Sequence, residues 1–288
     1  MSLELKNDFK AKLLMIVSSL SFSIMASFVK YSDHTVAVKA LSRQLVSLFF
    51  VICIIYLNNI RLIPIKKNRI RLGLRCLFGS IGIYFYFYSI DNLMLANASM
   101  LTRLSPFFVT LFAFLLLKES VNYLNWLIFI PMIFGCILII KPNSEMFHPA
   151  SIFAILSALS GALAYTMIRS IGKDESPYTI IFWFTLSSSV MYSFIITKDI
   201  SLVTSEIEYL NLFMIGVFGL IGQIGLTLSY QQSKASNVAP YSYFYILFTG
   251  VIGYNVWNEI PDSLSIVGYF FINSSYLIVM KINRKGGL

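Results

Sequence analysis

The chain has 288 residues, of which 57% are hydrophobic and only 12% are charged, and its formal net charge is +9. Soluble domains average roughly 45–50% apolar and about 25% charged residues, so this composition excludes a soluble globular protein and indicates an integral membrane protein. The basic residues lie mainly in short loops between apolar segments, as membrane orientation requires. We therefore expect the lipid bilayer, and no nucleic acid, as a partner.

The apolar segments are long enough to cross a bilayer as helices. A hydrocarbon core of about 30 Å requires roughly 20 mostly apolar residues per helix. Ten spans are predicted, at 11–30, 36–57, 72–90, 95–117, 123–140, 151–171, 178–197, 210–231, 237–257 and 264–281. The alternation of polar and apolar residues that marks a β-barrel is absent from the sequence. The expected fold class is therefore an all-α integral membrane protein with ten transmembrane helices.

Lysine and arginine set the expected orientation. With the N-terminus in the cytoplasm, the basic segments 61–71 and 281–285 lie inside, whereas the outer loops hold Lys141 and Lys198. This bias predicts that both termini are cytoplasmic. The richness in Ile, Asn and Lys is typical of a low-GC bacterium, so the expected location is the cytoplasmic (inner) membrane.

The two halves of the chain repeat each other at a spacing of about 140 residues. The matches are Gly79 with Gly219, Gly82 with Gly222, Asn97 with Asn237, Glu119 with Glu259 and, one position out of register, Ser18 with Ser157 and Lys30 with Arg169. Each half holds five spans, an odd number, so the second half begins on the opposite face of the membrane. We predict two inverted five-helix repeats, residues 1–142 and 143–288, in one body. Secondary transporters use this construction and bind substrate between the halves.

Four basic residues fall inside the predicted spans: Lys39, Arg43, Arg75 and Arg103. A charge at mid-membrane costs about 3 kcal/mol or more, so it usually faces a cavity or a partner. Arg103 has two open interpretations, a cation that binds substrate or a structural group that caps carbonyls freed by Pro106. Arg43 is a second candidate for substrate binding. Lys39 is expected to extend to the outer surface, and Arg75 to anchor the inner boundary.

Further candidates for substrate contact carry aromatic or amide groups: Tyr84, Trp183, Gln223 and Tyr243. Aromatic rings stack on flat substrates, but packing or hydrogen bonding between helices explains such residues as well. Glu119 and Glu259 end equivalent helices at opposite faces. Each is predicted to gate its face by pairing with a basic residue, with a solvated carboxylate at a helix end as the alternative.

No pattern in the sequence points to catalysis. The cysteines and histidines lie apart, and no Walker loop or nucleophile elbow occurs. We expect no enzyme, no cofactor and no metal site.

Several short motifs occur in a fixed order along the chain: Arg75–Gly79, Ala96–Ala98, Pro106, Leu117–Glu119, 135–142, Gly222–Gln223, Tyr230, Ala235–Tyr241, Glu259 and Pro261. In their order and spacing they resemble the drug/metabolite transporter superfamily, in particular its ten-helix EamA-type members. The resemblance implies an inverted-repeat fold with a central cavity, and substrates such as amino acids, riboflavin, S-adenosylmethionine or choline. Arg103 departs from many members and argues against a purely neutral cavity.

The expected function is secondary transport of a small organic metabolite by alternating access, as a monomer or a homodimer. The alternative is a membrane receptor or assembly subunit that binds a ligand without moving it.

Overall fold

The computed structural model describes residues 3–119, 129–140, 148–196, 205–271 and 274, without the side chains of residues 3–7, 132, 140, 236, 240 and 243. Within these ranges the regular structure is entirely helical. The α-helices are α1 (Leu3–Tyr31), α2 (Val36–Leu57), α3 (Arg69–Asn92), α4 (Leu95–Thr102), α5 (Ser105–Leu117), α6 (Phe129–Ile140), α7 (Ala150–Ile171), α8 (Pro177–Ile195), α9 (Glu206–Gln232), α10 (Ala235–Val238), α11 (Phe244–Trp257) and α12 (263–271).

Seven helical stretches are long and apolar enough to cross a membrane, and Phe244–Trp257 is a shorter apolar helix. These stretches coincide with eight of the predicted spans, so the all-α membrane fold is confirmed and the chain is a multi-pass membrane protein. The predicted spans 123–140 and 264–281 are represented by α6 and α12, and the rest of each lies outside the described residues.

The fourth and ninth spans are interrupted, whereas the sequence predicted continuous helices there. In the fourth span α4 ends at Thr102 and α5 begins at Ser105, with Pro106 in its first turn. Proline lacks the N–H, and its ring clashes with the carbonyl four residues earlier, here that of Thr102. In the ninth span a 3₁₀ turn, Ala239–Tyr243, separates α10 from α11. Irregular backbone at membrane depth is tolerated where it is buried in protein or lines a cavity.

The sequence repeat reappears as two equivalent helix contacts. Ser18 on α1 donates from Oγ to the carbonyl of Gly222 on α9 at 2.6 Å. Ser157 on α7 donates from Oγ to the carbonyl of Gly82 on α3 at 2.8 Å. The two serines are repeat mates, and so are the two glycines. Each half therefore supplies the serine of one contact and the glycine of the other, and the small residues allow the helices to approach closely.

The contact between α1 and α9 gives a test of this packing. A β-carbon on Gly225 would lie 2.8 Å from the backbone oxygen of Leu14, whereas one on Gly250 would meet nothing within 4 Å. Gly225→Ala must push the two helices apart, and we expect it to destabilise the protein by about 1–3 kcal/mol. The measurement is the Tm in detergent. Gly250→Ala is the control, since alanine favours a helix; a Gly225→Ala Tm at or above wild type would contradict the packing.

Candidate functional site: a central cavity with three arginines

A cavity of about 90 Å³ lies at the centre of the helices. Its walls come from both halves of the chain: α1 to α5 on one side, and α7 to α9 on the other. The polar side chains that matter most for its chemistry are Arg43, Arg75, Arg103, Tyr86, Tyr165 and Gln223. Both halves of the chain therefore contribute to the lining of one cavity.

Arg43 extends from α2 into this cavity and is 3% exposed. Its Nε donates to the sulfur of Met25 at 3.3 Å, and its Nη1 has no hydrogen-bond partner among the described residues. The guanidinium occupies the space beside Gly219, where a β-carbon would come within 2.8 Å of Nε. A side chain at position 219 would therefore displace Arg43.

Arg75 is 1% exposed and lines the same cavity, so the prediction of an anchor at the inner boundary is wrong. Its guanidinium carbon lies 3.8 Å from the ring centroid of Phe184, and within the described chain Nε and Nη1 have no hydrogen-bond partner. A β-carbon on Gly79, one helical turn later, would overlap Nη1. Gly79 and Gly219 are repeat mates, and each makes room for an arginine.

Arg103 lies at the break between α4 and α5, where it caps α4. Its backbone N–H donates to the carbonyls of Ser99 and Met100 at 3.2 and 3.1 Å. The guanidinium carbon lies 3.8 Å from the ring centroid of Tyr245, and the hydroxyl of Tyr245 is hydrogen-bonded to that of Tyr86. The broken helix therefore places the cation at the cavity wall, held by an aromatic face.

The remaining predicted contacts do not all lie at the cavity. Gln223 lines the cavity, and its Nε2 donates to Oγ1 of Thr227 at 3.1 Å. Tyr84 packs in an apolar cluster instead, and Trp183 donates from Nε1 to the carbonyl of Leu62 at 2.8 Å, beside a separate groove between α3 and α8. The side chain of Tyr243 is outside the described part of the chain, although its backbone lies in the 3₁₀ turn that interrupts the ninth span.

Lys39 is buried rather than extended to the surface, which corrects the prediction for this residue. It is 2% exposed, and its Nζ lies 2.7 Å from Oδ1 of Asp91. Asp91 explains why Lys39 can be buried, because pairing and hydrogen bonding offset the free-energy cost of removing a charge from solvent.

Glu259 stands at one end of the helix bundle, directly after α11. Asn258 has a left-handed backbone, with φ of 52°, and the N–H of Glu259 donates to the carbonyl of Gly253 at 3.1 Å. This cap resembles a Schellman motif. The carboxylate forms an ion pair with Lys30 on α1, and its Oε2 accepts from the N–H of Leu95 at 2.8 Å.

Glu119 repeats this arrangement at the other end of the bundle. The fourth span begins at Leu95, beside Glu259, and ends at Leu117, just before Glu119. Lys118 has a φ of 55°, and the N–H of Glu119 donates to the carbonyl of Ala113 at 3.1 Å. The carboxylate accepts from Nε of Arg169, at the end of α7, at 2.9 Å. Sequence reasoning singled out both glutamates but not their partners, although the partners are themselves repeat mates.

Two halves of equivalent construction, broken helices and a buried charged cavity between them define a membrane protein of the transporter class. The family model described as "EamA-like transporter family" matches residues 9–141 and again residues 148–281. The chain belongs to this family.

The relatives are transporters by name. The pseudopaline exporter CntI of Pseudomonas aeruginosa is 28% identical over 95% of this chain and 96% of its own length. Human solute carrier family 35 member G1 is 29% identical, covering 90% of this chain and 76% of that one. The S-adenosylmethionine uptake transporter of Rickettsia conorii is 22% identical, covering 91% and 92%. One crystal structure matches 96% of this chain and 99% of its own with a TM-score of 0.73 at 15% identity, which shows the fold alone.

Proposed function

We propose that the protein is a secondary transporter that moves a small organic metabolite across the cytoplasmic membrane by alternating access. One observation carries the proposal: a charged cavity lies between two equivalent halves, and an equivalent ion pair joins those halves at each end. The named relatives include an exporter and an uptake transporter, so they support transport of a small molecule without assigning its direction.

The proposed substrate contacts are those predicted residues that reach the cavity: Arg43, Arg103 and Gln223. Tyr243 joins them through its position, because it lies at the break of the ninth span as Arg103 lies at the break of the fourth. Interrupted helices of this kind form the binding sites of many transporters.

The two ion pairs are the proposed gates. Lys30–Glu259 closes the end that the basic loops place outside, and Arg169–Glu119 closes the cytoplasmic end. Both pairs are formed in this structure. Opening at one face breaks one pair and leaves the other, and because the pairs are repeat mates the two open states have similar energy. The repeats 1–142 and 143–288 are the proposed moving units.

The test is flux into proteoliposomes that contain the purified full-length protein. Vesicles preloaded with an unlabelled metabolite are offered the same metabolite in labelled form, using amino acids, flavins, nucleosides, S-adenosylmethionine and organic acids in turn. Saturable exchange of at least one compound is expected. A compound that binds the protein but never exchanges would overturn transport and favour a receptor.

A further inference from the structure

The charge of the central cavity is unbalanced. Three arginine side chains line it, from α2, α3 and the break after α4. Among the described lining residues, none carries a carboxylate. Glu119, Glu259 and Asp91 lie outside the cavity lining, and each forms an ion pair with another basic residue. The cavity itself is therefore strongly cationic.

Two of these cations have donors directed to no protein acceptor. Nη1 of Arg43 and both Nε and Nη1 of Arg75 are buried without a hydrogen-bond partner among the described residues. Burying an unpaired charge is costly, so buried charges are normally paired. Arg43 and Arg75 line the same small cavity, and their like charges repel each other. An anion in the cavity would satisfy the donors and remove the repulsion.

The surroundings of the arginines favour an anion that is bound edge-on. Phe184 covers one face of the Arg75 guanidinium, and Tyr245 covers one face of Arg103, each at 3.8 Å. The N–H groups of a guanidinium lie in its plane and match the two oxygens of a carboxylate or phosphate. With the Phe184 ring on one face of Arg75, the edge of that guanidinium remains for an anionic group. A cationic solute would meet repulsion at all three arginines.

The volume of the cavity limits such a solute to a compact size. The cavity of about 90 Å³ is smaller than the engineered cavity of about 150 Å³ that is known to hold benzene. Gly79 leaves room for the guanidinium of Arg75 on the same helix, and Gly219 on α9 leaves room for the Arg43 side chain from α2. A short organic acid is therefore the appropriate first probe.

We infer that the central cavity binds an organic solute with two or more anionic groups, carboxylates or phosphates, through Arg43, Arg75 and Arg103. This inference rests on the proposed function in treating the cavity as the transport site, and it narrows the substrate class. Carboxylates and phosphates both present oxygen atoms that bind the edge of a guanidinium group. Binding experiments with each type of compound distinguish between them.

The binding experiment is a thermal-shift titration of the purified full-length protein at low chloride and matched ionic strength. The probes are succinate and citrate for carboxylates, glycerol 3-phosphate for phosphates, acetate for a single charge, and choline for a cation. A ligand that binds only the folded state raises its Tm. We expect a saturable rise with at least one polyanion, at a concentration about 10-fold or more below that needed for acetate, and none with choline. Equal protection by acetate would overturn the inference.

Variants then locate the site. Arg43→Gln and Arg75→Gln are each expected to weaken polyanion binding by about 10- to 100-fold, the loss of one charged hydrogen-bonding group. Arg69→Gln is the matched control, with the same change of charge at an exposed position on α3, and its affinity should stay within about 2-fold. If Arg75→Gln does not fold, Arg75→Lys keeps the charge but loses the planar fork, and weaker binding is again expected. Undiminished binding in the Arg43 and Arg75 variants would overturn the site.

Flux separates this inference from the proposed function. Polyanion binding that depends on the arginines, without exchange in proteoliposomes, supports the inference and overturns transport. Exchange of neutral or cationic metabolites by a protein that no polyanion stabilises leaves transport standing and overturns the inference. Exchange of the bound polyanion supports both.

Discussion

Replacing Glu259 with lysine is expected to reduce transport by about 10- to 100-fold, and the additional change Lys30→Glu is expected to recover much of it. The carboxylate of Glu259 is 8% exposed and pairs with Lys30, whose side chain is 18% exposed. Two lysines in this contact repel each other, and losing one partner of a buried pair costs about 2–5 kcal/mol. The exchanged pair restores attraction across the same gap. Recovery should be incomplete, because lysine at position 259 cannot accept from the N–H of Leu95.

The measurement is the initial rate of exchange in proteoliposomes for the single and double variants, which gives the coupling between the two positions. Lys67 and Asp174 provide the control, since they form an ion pair at 2.8 Å with side chains 61% and 46% exposed. Exchanging those two residues should leave the rate unchanged, because exposed pairs contribute little. A double variant of Lys30 and Glu259 that is as slow as Glu259→Lys, at equal folding, would contradict the gate.

The extent of the helices could be predicted from composition, but their continuity could not. A span such as 95–117 is apolar along its length, and length alone indicates a membrane helix. Whether Pro106 kinks the helix or ends it depends on what surrounds the freed backbone groups. Here they border a cavity, and the helix stops at Thr102 and restarts at Ser105. That environment is tertiary and has no signature in the local sequence.

The site was predictable in part for a related reason. Arg43, Arg103 and Gln223 reach the cavity, whereas Tyr84 and Trp183 lie elsewhere. A helix that is apolar on every side has no polar face to fix its rotation. A polar residue within such a span is unusual and is easily found in the sequence, but the sequence does not show which side of the helix bundle it faces.

Arg75 illustrates what the repeat adds beyond helix faces. Gly79 follows it by one turn, and the repeat mate Gly219 contacts Arg43. At this matched pair of glycines an arginine side chain lies against the helix in each half. Lys30 and Arg169 are also repeat mates, as are Glu259 and Glu119, so the repeat indicated that their interactions would be equivalent. Which lysine or arginine pairs with which glutamate became known only from the structure.

Arg75→Met is expected to make the protein more stable and inactive at once. Methionine is unbranched and uncharged, and it reaches as far as the arginine Nε, so it replaces the apolar stem beside Phe184 and Gly79 without the guanidinium. The change removes a 1% exposed cation, two of whose nitrogens have no hydrogen-bond partner among the described residues. Replacing a buried charged group with a well-packed hydrophobic one is often neutral or stabilising by about 1–4 kcal/mol. The loss of the contact with Phe184 offsets part of this gain. Transport should fall to background, because a substrate-binding group is gone.

The two readouts are the Tm of the unliganded protein and the exchange rate of its substrate. A gain of about 1 kcal/mol corresponds to a Tm increase of roughly 2–4 °C in a chain of 150–250 residues, so a rise of a few degrees is the expected scale. Arg69→Met, at an exposed position on the same helix, should change neither quantity. An Arg75→Met variant with a Tm far below wild type would show that Arg75 stabilises the fold. The expected result, higher stability with lost transport, is the trade-off typical of a residue retained for binding.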